Sequence, residues 1–178
     1  MGDTSRLLRL LAMAKFRSVV DFITQTLETT PKVLVFCRHV DLIERLQLHF
    51  QERSYNPVVK RGGISPETTE MLKHKFIYDK KCRIFIAQED AAGTGLDGLQ
   101  KACNIAIDAE PSWTPGVTAQ KVARLDRIGQ EDEIVTVYLL YADGTLDEVK
   151  SFVHQRKDST IARMEKAEDR RKLLEGFL

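Results

Sequence analysis

Five short apolar runs, rich in valine and isoleucine, alternate along this chain with longer segments of helical periodicity. Runs of roughly four to eight such residues are typical of strands that are buried on both faces. Parallel neighbours need crossover connections, so the intervening helices must cover both faces of the sheet. The sequence therefore predicts an α/β fold of three layers, with a mainly parallel sheet between helices. The expected strands lie in Lys32–Cys37, Asn56–Lys60, Arg83–Ala87, Asn104–Asp108 and Glu133–Leu140.

The helical segments divide the chain. Ser5–Leu27 has apolar residues at helical spacing and predicts one long amphipathic helix or two broken ones. A second helix is expected over Val40–Arg53. A third runs to about Tyr78, with Ser65 as its N-cap and Pro66 at its first position. We expect a helical lead-in over residues 1–30, a main domain over residues 31–157 and a charged C-terminal helix over residues 158–178.

Composition excludes several classes of protein. The 27 basic and 26 acidic residues leave a net charge of +1, which argues against a surface coated for nucleic acid but permits a local basic groove. Cys37, Cys82 and Cys103 lie in or beside strand-like runs and are expected to be buried, reduced thiols. The four histidines have no metal-binding spacing, so no metal site is predicted. Without a signal peptide or a long apolar stretch, the sequence predicts a cytoplasmic protein with no membrane partner.

A basic motif stands in the last third of the chain. Gln120, Arg124 and Arg127 would share one face of a helix over Thr118–Ile128, because residues at i, i+4 and i+7 stack. Two guanidinium groups held in a fixed array suit a polyphosphate that another part of the site must also bind.

The pattern Gln-x-x-x-Arg-x-x-Arg-Ile-Gly-Gln, which ends at Gln130, resembles the last motif of superfamily-two helicases and translocases. Its form is that of the Swi/Snf-like chromatin remodellers. The upstream block Trp-Thr-Pro-Gly, beginning at Trp113, resembles the same family, as do Lys32–Arg38 and Arg61–Phe76. The resemblance extends over Lys32–Gln155, and its Gly-Leu-Asp-Gly-Leu-Gln segment is closer to bacterial and phage members.

This resemblance implies the second RecA-like lobe of an ATP-dependent DNA helicase or translocase. It implies that Arg124 and Arg127 act as arginine fingers and that Gln120 orients them. Gly95 and Asp97 would lie at the nucleotide, Asp97 at the ribose. Thr69 departs from the family, which often has arginine there.

The nucleic-acid contacts that the resemblance implies fall on Arg38, His39, Gly63 and Trp113. Two alternatives are open. Arg38 and His39 could instead cap the next helix, and Trp113 could be an anchor of the core or of a lobe interface. Glu89 stands near the position where related proteins place a threonine against nucleic acid, and we expect no strand contact from it. RNA is not excluded as the partner.

The segment from Gly93 to Gly98 also matches the dinucleotide fingerprint Gly-x-Gly-x-x-Gly. That fingerprint requires a long helix next, whereas only Leu99–Cys103 separates it from the following strand. A nicotinamide site is therefore rejected. The other alternative is a tight turn without a ligand.

The chain lacks the phosphate-binding pattern Gly-x-x-x-x-Gly-Lys-Ser/Thr. It therefore holds half of an ATP site, and ATP with Mg²⁺ is expected to bind only with the N-terminal RecA-like lobe of the same protein. The chain alone is predicted to be inactive. One alternative is a non-catalytic single-lobe module that binds DNA or a partner ATPase, and another is a scaffold with vestigial arginines.

Overall fold

The computed structural model describes residues 2–89, 96–123, 125, 129–130 and 134–153. Within them lies one sheet of five strands in the order β2-β3-β1-β4-β5, and every neighbouring pair is parallel. The predicted parallel sheet is therefore confirmed. Its strands are β1 (Val33–Cys37), β2 (Val58–Lys60), β3 (Ile84–Gln88), β4 (Ile105–Asp108) and β5 (Thr136–Leu139).

Helices precede and connect the strands. The N-terminal segment forms two helices that meet at Lys15, which matches the broken alternative. A 3-10 turn over Leu99–Lys101 follows the glycine-rich segment, so no long helix stands where a dinucleotide fingerprint requires one. Residues 146–153 are also helical. The helices are α1 (Gly2–Ala14), α2 (Phe16–Thr29), α3 (Val40–Glu52), α4 (Pro66–Tyr78) and α5 (Pro115–Val122).

The sheet is covered on both faces. All five residues of β1 are buried, and successive side chains point to opposite faces. Val33 and Val35 join a core cluster with α2 and α3, whereas Leu34 and Phe36 join another with α4. Because α2 shares the core of the sheet, the lead-in is packed on the main domain, and the division at residue 30 stays a prediction.

The order of the strands reverses between β1 and β4. The connection from β1 through α3 leads to β2 on one side, and the connection from β4 through α5 leads to β5 on the other. In open α/β sheets, ligands bind in the crevice outside the carboxyl ends of the strands at such a reversal. The residues that follow β1 and β4 are therefore candidates for a ligand-binding site.

Helices α4 and α5 both begin with proline after a hydroxyl residue, but only the first hydroxyl caps its helix. The Ser65 side chain accepts a hydrogen bond from the Thr68 N–H at 3.2 Å, and Pro66 opens α4, as predicted. Thr114 occupies the N-cap position of α5 without a capping hydrogen bond from its side chain. The helix ends at Val122, earlier than predicted, where the Ala123 N–H is shared between two carbonyl groups.

Candidate functional site

The carboxyl ends of the parallel strands meet at one edge of the sheet. We call the residues that follow β1 to β4, namely 38–39, 61–63, 89 and 109–113, the carboxyl edge. Arg38 and His39 lie directly after β1, Gly63 lies after β2, and Trp113 lies after β4. The structure thus brings all four predicted nucleic-acid residues to the same edge.

Glu110 links the ends of β1 and β4. One of its carboxylate oxygens accepts hydrogen bonds from the backbone N–H groups of Arg38 at 2.8 Å and His39 at 2.9 Å. The other oxygen contacts Nδ1 of His39. Glu110 places a buried negative charge just ahead of α3, where the helix dipole favours an anion. His39 occupies the N-cap position of α3 without a capping bond from its side chain, so Glu110 fixes this junction.

The backbone of residues 61–63, directly after β2, is fixed in place and accessible. The Gly62 N–H donates to the Gln88 side chain at 3.1 Å, and Arg61 pairs with Glu44 at 2.9 Å. Gly63 has a φ of +77°, which side chains rarely adopt, and no atom lies within 4 Å of the position a Cβ would take. A glycine here keeps the backbone accessible to a ligand.

Trp113 lies beside a buried group of charges that we call the Asp147 cluster: Lys15, Asp147 and Lys150. Asp147 accepts hydrogen bonds from Lys15 at 2.6 Å and Lys150 at 2.9 Å, and Lys15 also donates to the Leu140 carbonyl at 2.6 Å. The Lys150 ammonium lies 5.7 Å from the centroid of the half-buried Trp113 ring. The cluster joins the α1–α2 junction to residues 146–153, and it holds Lys150 over the Trp113 ring.

A second buried group, the Lys121 cluster, consists of Lys121, Asp108 and Glu89. The Lys121 Nζ donates to Asp108 at 2.6 Å and lies 3.0 Å from Oε1 of Glu89. Their side chains are 3%, 0% and 9% exposed. The Glu89 oxygen accepts no hydrogen bond, so its contact with Lys121 is an ion pair only. This cluster ties α5 to the ends of β3 and β4.

Burial and partners shift several pKa values at this edge. Burial raises the pKa of Asp108 above its ordinary value, although Lys121 acts in the opposite direction. Burial also raises the pKa of Asp147, but the hydrogen bonds from Lys15 and Lys150 outweigh it and the net shift is downward. Burial raises the pKa of the Cys37 thiol, with Glu110 adding to the effect. All three cysteines are buried thiols, as predicted.

The predicted nucleotide residues are only partly described. Asp97 is exposed in the turn before Gly98, and Gln120 is exposed on α5. Gly95, Arg124 and Arg127 lie outside the described residues, so the shared face of Gln120 and the two arginines stays a prediction. Thr69, where the family often has arginine, is buried and donates to the Ser65 carbonyl at 3.0 Å.

Comparison with known proteins decides the family. The family described as the helicase conserved C-terminal domain matches residues 14–129. The chain belongs to this family. The match includes α2 and strands β1 to β4, and it ends at Gly129, within the motif that begins at Gln120.

The relatives of this helicase C-terminal domain confirm the Swi/Snf-like resemblance. It is 31% identical over 138 residues to the SWI/SNF-related matrix-associated actin-dependent regulator of chromatin subfamily A-like protein 1 of Xenopus laevis. It is 32% identical over 148 residues to the DNA annealing helicase and endonuclease ZRANB3 of Homo sapiens. These alignments cover 77% and 83% of this chain but 14% and 13% of the relatives, so the domain spans a small part of their length.

A solved structure shares the fold. The crystal structure of the C-terminal part of the Fun30 ATPase domain is similar with a TM-score of 0.68 and 24% identity. The similarity covers 75% of this chain and 44% of the other. The predicted RecA-like lobe is thereby confirmed.

Sequence reasoning missed the three residues that organise this site. Asp108 was predicted only as the last residue of a strand, Glu110 had no predicted role, and Lys121 belonged only to the motif that begins at Gln120. The signal that could have found the carboxylates is their position after β4, at the edge where the strand order reverses. The burial of Lys121 had no such signal, because its carboxylates come from distant parts of the chain.

Two features are absent from the part of the chain that the structure describes. There, no helix is long and apolar enough to cross a membrane. Over the same residues, no group of three or more His, Cys, Asp or Glu side chains is arranged to hold a metal ion.

Proposed function

We propose that this helicase C-terminal domain is the second lobe of an ATP-dependent DNA translocase or helicase. The observation that carries the proposal is the carboxyl edge, where exposed Arg38 and half-buried His39 and Trp113 lie beside the reversal of strand order. This is where α/β proteins place ligands. One relative is a DNA annealing helicase and endonuclease, which supports DNA as the nucleic acid.

The carboxyl edge has the chemistry of a strand-binding groove. The guanidinium group of Arg38 can pair with a phosphate, and the open backbone at Gly63 lets a phosphate approach peptide N–H groups. The half-buried ring of Trp113 offers a surface on which a base can stack. Glu110 holds the residues after β1 in place, so the arginine side chain starts from a fixed backbone.

The nucleotide would lie between this lobe and an N-terminal lobe. Asp97 and Gln120 are exposed polar groups, and they are able to hydrogen-bond to ribose and phosphate oxygens or hydroxyls. By resemblance, Gly95 lies against the nucleotide, and Arg124 and Arg127 bind its phosphates. ATP with Mg²⁺ supplies the phosphoanhydride bond whose hydrolysis drives movement. The other lobe supplies the phosphate loop, which this sequence lacks.

Movement would follow from opening and closing of the two lobes. In the closed state the arginines of this lobe face the phosphates held by the other lobe. In the open state the arginines move away from these phosphates, and the carboxyl edge binds the nucleic-acid strand at a new position. The helicase C-terminal domain therefore contributes both a binding surface for the nucleic-acid strand and half of the ATP site.

The isolated domain is expected to show no ATP hydrolysis above background. None of its sequence forms the phosphate loop that holds Mg²⁺-triphosphate. The measurement is phosphate release with and without DNA, with Arg127→Ala as the comparison. Robust turnover that Arg127→Ala abolishes would contradict the half-site proposal.

Binding of single-stranded DNA by the isolated domain is expected to be weak and dependent on salt. The net charge is +1, so only the few cations of the carboxyl edge contribute. Release of counterions from two or three phosphates predicts about a tenfold or greater loss of affinity between roughly 50 and 200 mM salt. A fluorescence titration at the two concentrations measures it, and tight binding that ignores salt would refute it.

Trp113→Ala tests the stacking role within the same titration. Loss of one stacked base predicts about a fivefold or greater drop in affinity. Tyr78→Ala is the matched control, because Tyr78 is 69% exposed and ends α4, which leads into the opposite end of β3. Equal affinities for the two variants would remove Trp113 from the DNA site.

A further inference from the structure

The Lys121 cluster holds two carboxylates for one ammonium. Asp108 is fully buried, and Lys121 and Glu89 are almost so. Asp108 already receives the short hydrogen bond from Lys121, at 2.6 Å. Glu89 adds a second negative charge whose nearest oxygen accepts no hydrogen bond.

The second carboxylate is not needed to neutralise Lys121. A buried charge without full compensation disfavours folding, and a neutral side chain of the same shape is often as stable or more stable. Gln at position 89 would leave the Lys121–Asp108 pair balanced. A buried charge that the fold does not require is a candidate for a functional role.

The position of Glu89 indicates what that role is. It directly follows β3, and in the sequence it stands four residues before Gly93, where the glycine-rich segment begins. Lys121 is the neighbour of Gln120 on α5, and Arg124 follows three residues later. The ion pair therefore joins α5, which the proposed function places at the nucleotide, to the end of β3, from which the sequence continues into the glycine-rich segment.

We propose that Glu89 is a positioning residue, which sets the placement of α5 against the carboxyl ends of β3 and β4 through its ion pair with Lys121. By this means it fixes where α5 presents Gln120 to the nucleotide. The inference rests on the proposed function. It also gives Glu89 a role that does not require contact with nucleic acid, which agrees with its burial.

The test is Glu89→Gln in the full-length two-lobe protein, assayed for DNA-stimulated ATP hydrolysis. Misplacement of catalytic groups by a fraction of an ångström to about 1 Å predicts a fall in kcat of about tenfold to a hundredfold. KM for ATP should stay within about twofold, and the melting temperature should be unchanged or higher. Glu89→Asp, which keeps the charge, should recover part of kcat.

The matched control is Glu70→Gln, the same substitution in an ion pair with Lys73 where the glutamate is 67% exposed. Its kinetics should equal those of the wild type. If Glu89→Gln behaves like this control, or loses melting temperature in step with turnover, the positioning role is overturned while the proposed function stands. A wild-type protein without DNA-stimulated hydrolysis would overturn both.

Discussion

Arg127→Lys in the full-length two-lobe enzyme is expected to lower kcat for ATP hydrolysis by about a hundredfold or more. Arginine fingers contribute about a thousandfold or more to kcat in related phosphoryl-transfer enzymes. Lysine keeps the charge but loses the planar fork that binds two phosphoryl oxygens at once. Since that contact is strongest in the transition state, kcat and kcat/KM should fall together, and binding of ATP should change much less. Arg124→Lys should behave in the same way.

The measurement is kcat, KM and melting temperature for each variant beside the wild type. Arg53→Lys is the control, because Arg53 is exposed at the end of α3 and makes only surface contacts within the described residues. A large drop in melting temperature with normal turnover per folded molecule would make Arg124 and Arg127 structural. The arginine-finger assignment would then be wrong.

Lys121→Met is expected to destabilise the domain by about 3–5 kcal/mol, because it leaves Asp108 and Glu89 as buried charges without a cation. For a domain of this length, that corresponds to a fall in melting temperature of roughly 6–20 °C. The deficit should shrink as the pH is lowered. Burial already raises the pKa of Asp108, the loss of Lys121 raises it further, and protonation removes the charge that is uncompensated.

Thermal unfolding at neutral and acidic pH measures this effect. Lys80→Met is the matched control, since Lys80 is exposed in the turn before β3. Its melting temperature should match that of the wild type within about 2 °C, as is usual for surface substitutions. An equally small effect of Lys121→Met at neutral pH would show that the buried cluster is not maintained in solution.

The organisation of the site combines local and distant interactions. Glu110 orders the backbone of Arg38 and His39, and Lys150 lies against Trp113. These supports are charged and buried, so they are rigid only while each charge keeps its partner. The nucleic-acid residues at the surface therefore depend on groups that a ligand would not touch.

The pattern of the sequence by itself determined the architecture. Continuous apolar runs such as that of β1 are typical of a strand covered on both faces, and parallel strands of this kind require the helical crossovers found between them. The Ser65-Pro66 start of α4 was also fixed locally, because a capping side chain acts within its own turn. The family motifs around Trp113 and Gln120 indicated the helicase C-terminal domain, since they occur in order and at characteristic spacing.

Only the tertiary structure decided which charges are buried and what they bind. Lys121 looked like one more basic residue of an exposed motif, yet it lies among carboxylates from the ends of β3 and β4. Glu110 reaches residues 71 and 72 positions away in sequence. The strand order β2-β3-β1-β4-β5 makes these contacts by placing β1 between β3 and β4. Sequence periodicity specifies which face of a helix or strand is buried. Which residues a buried charge contacts depends instead on the order of the strands in the sheet.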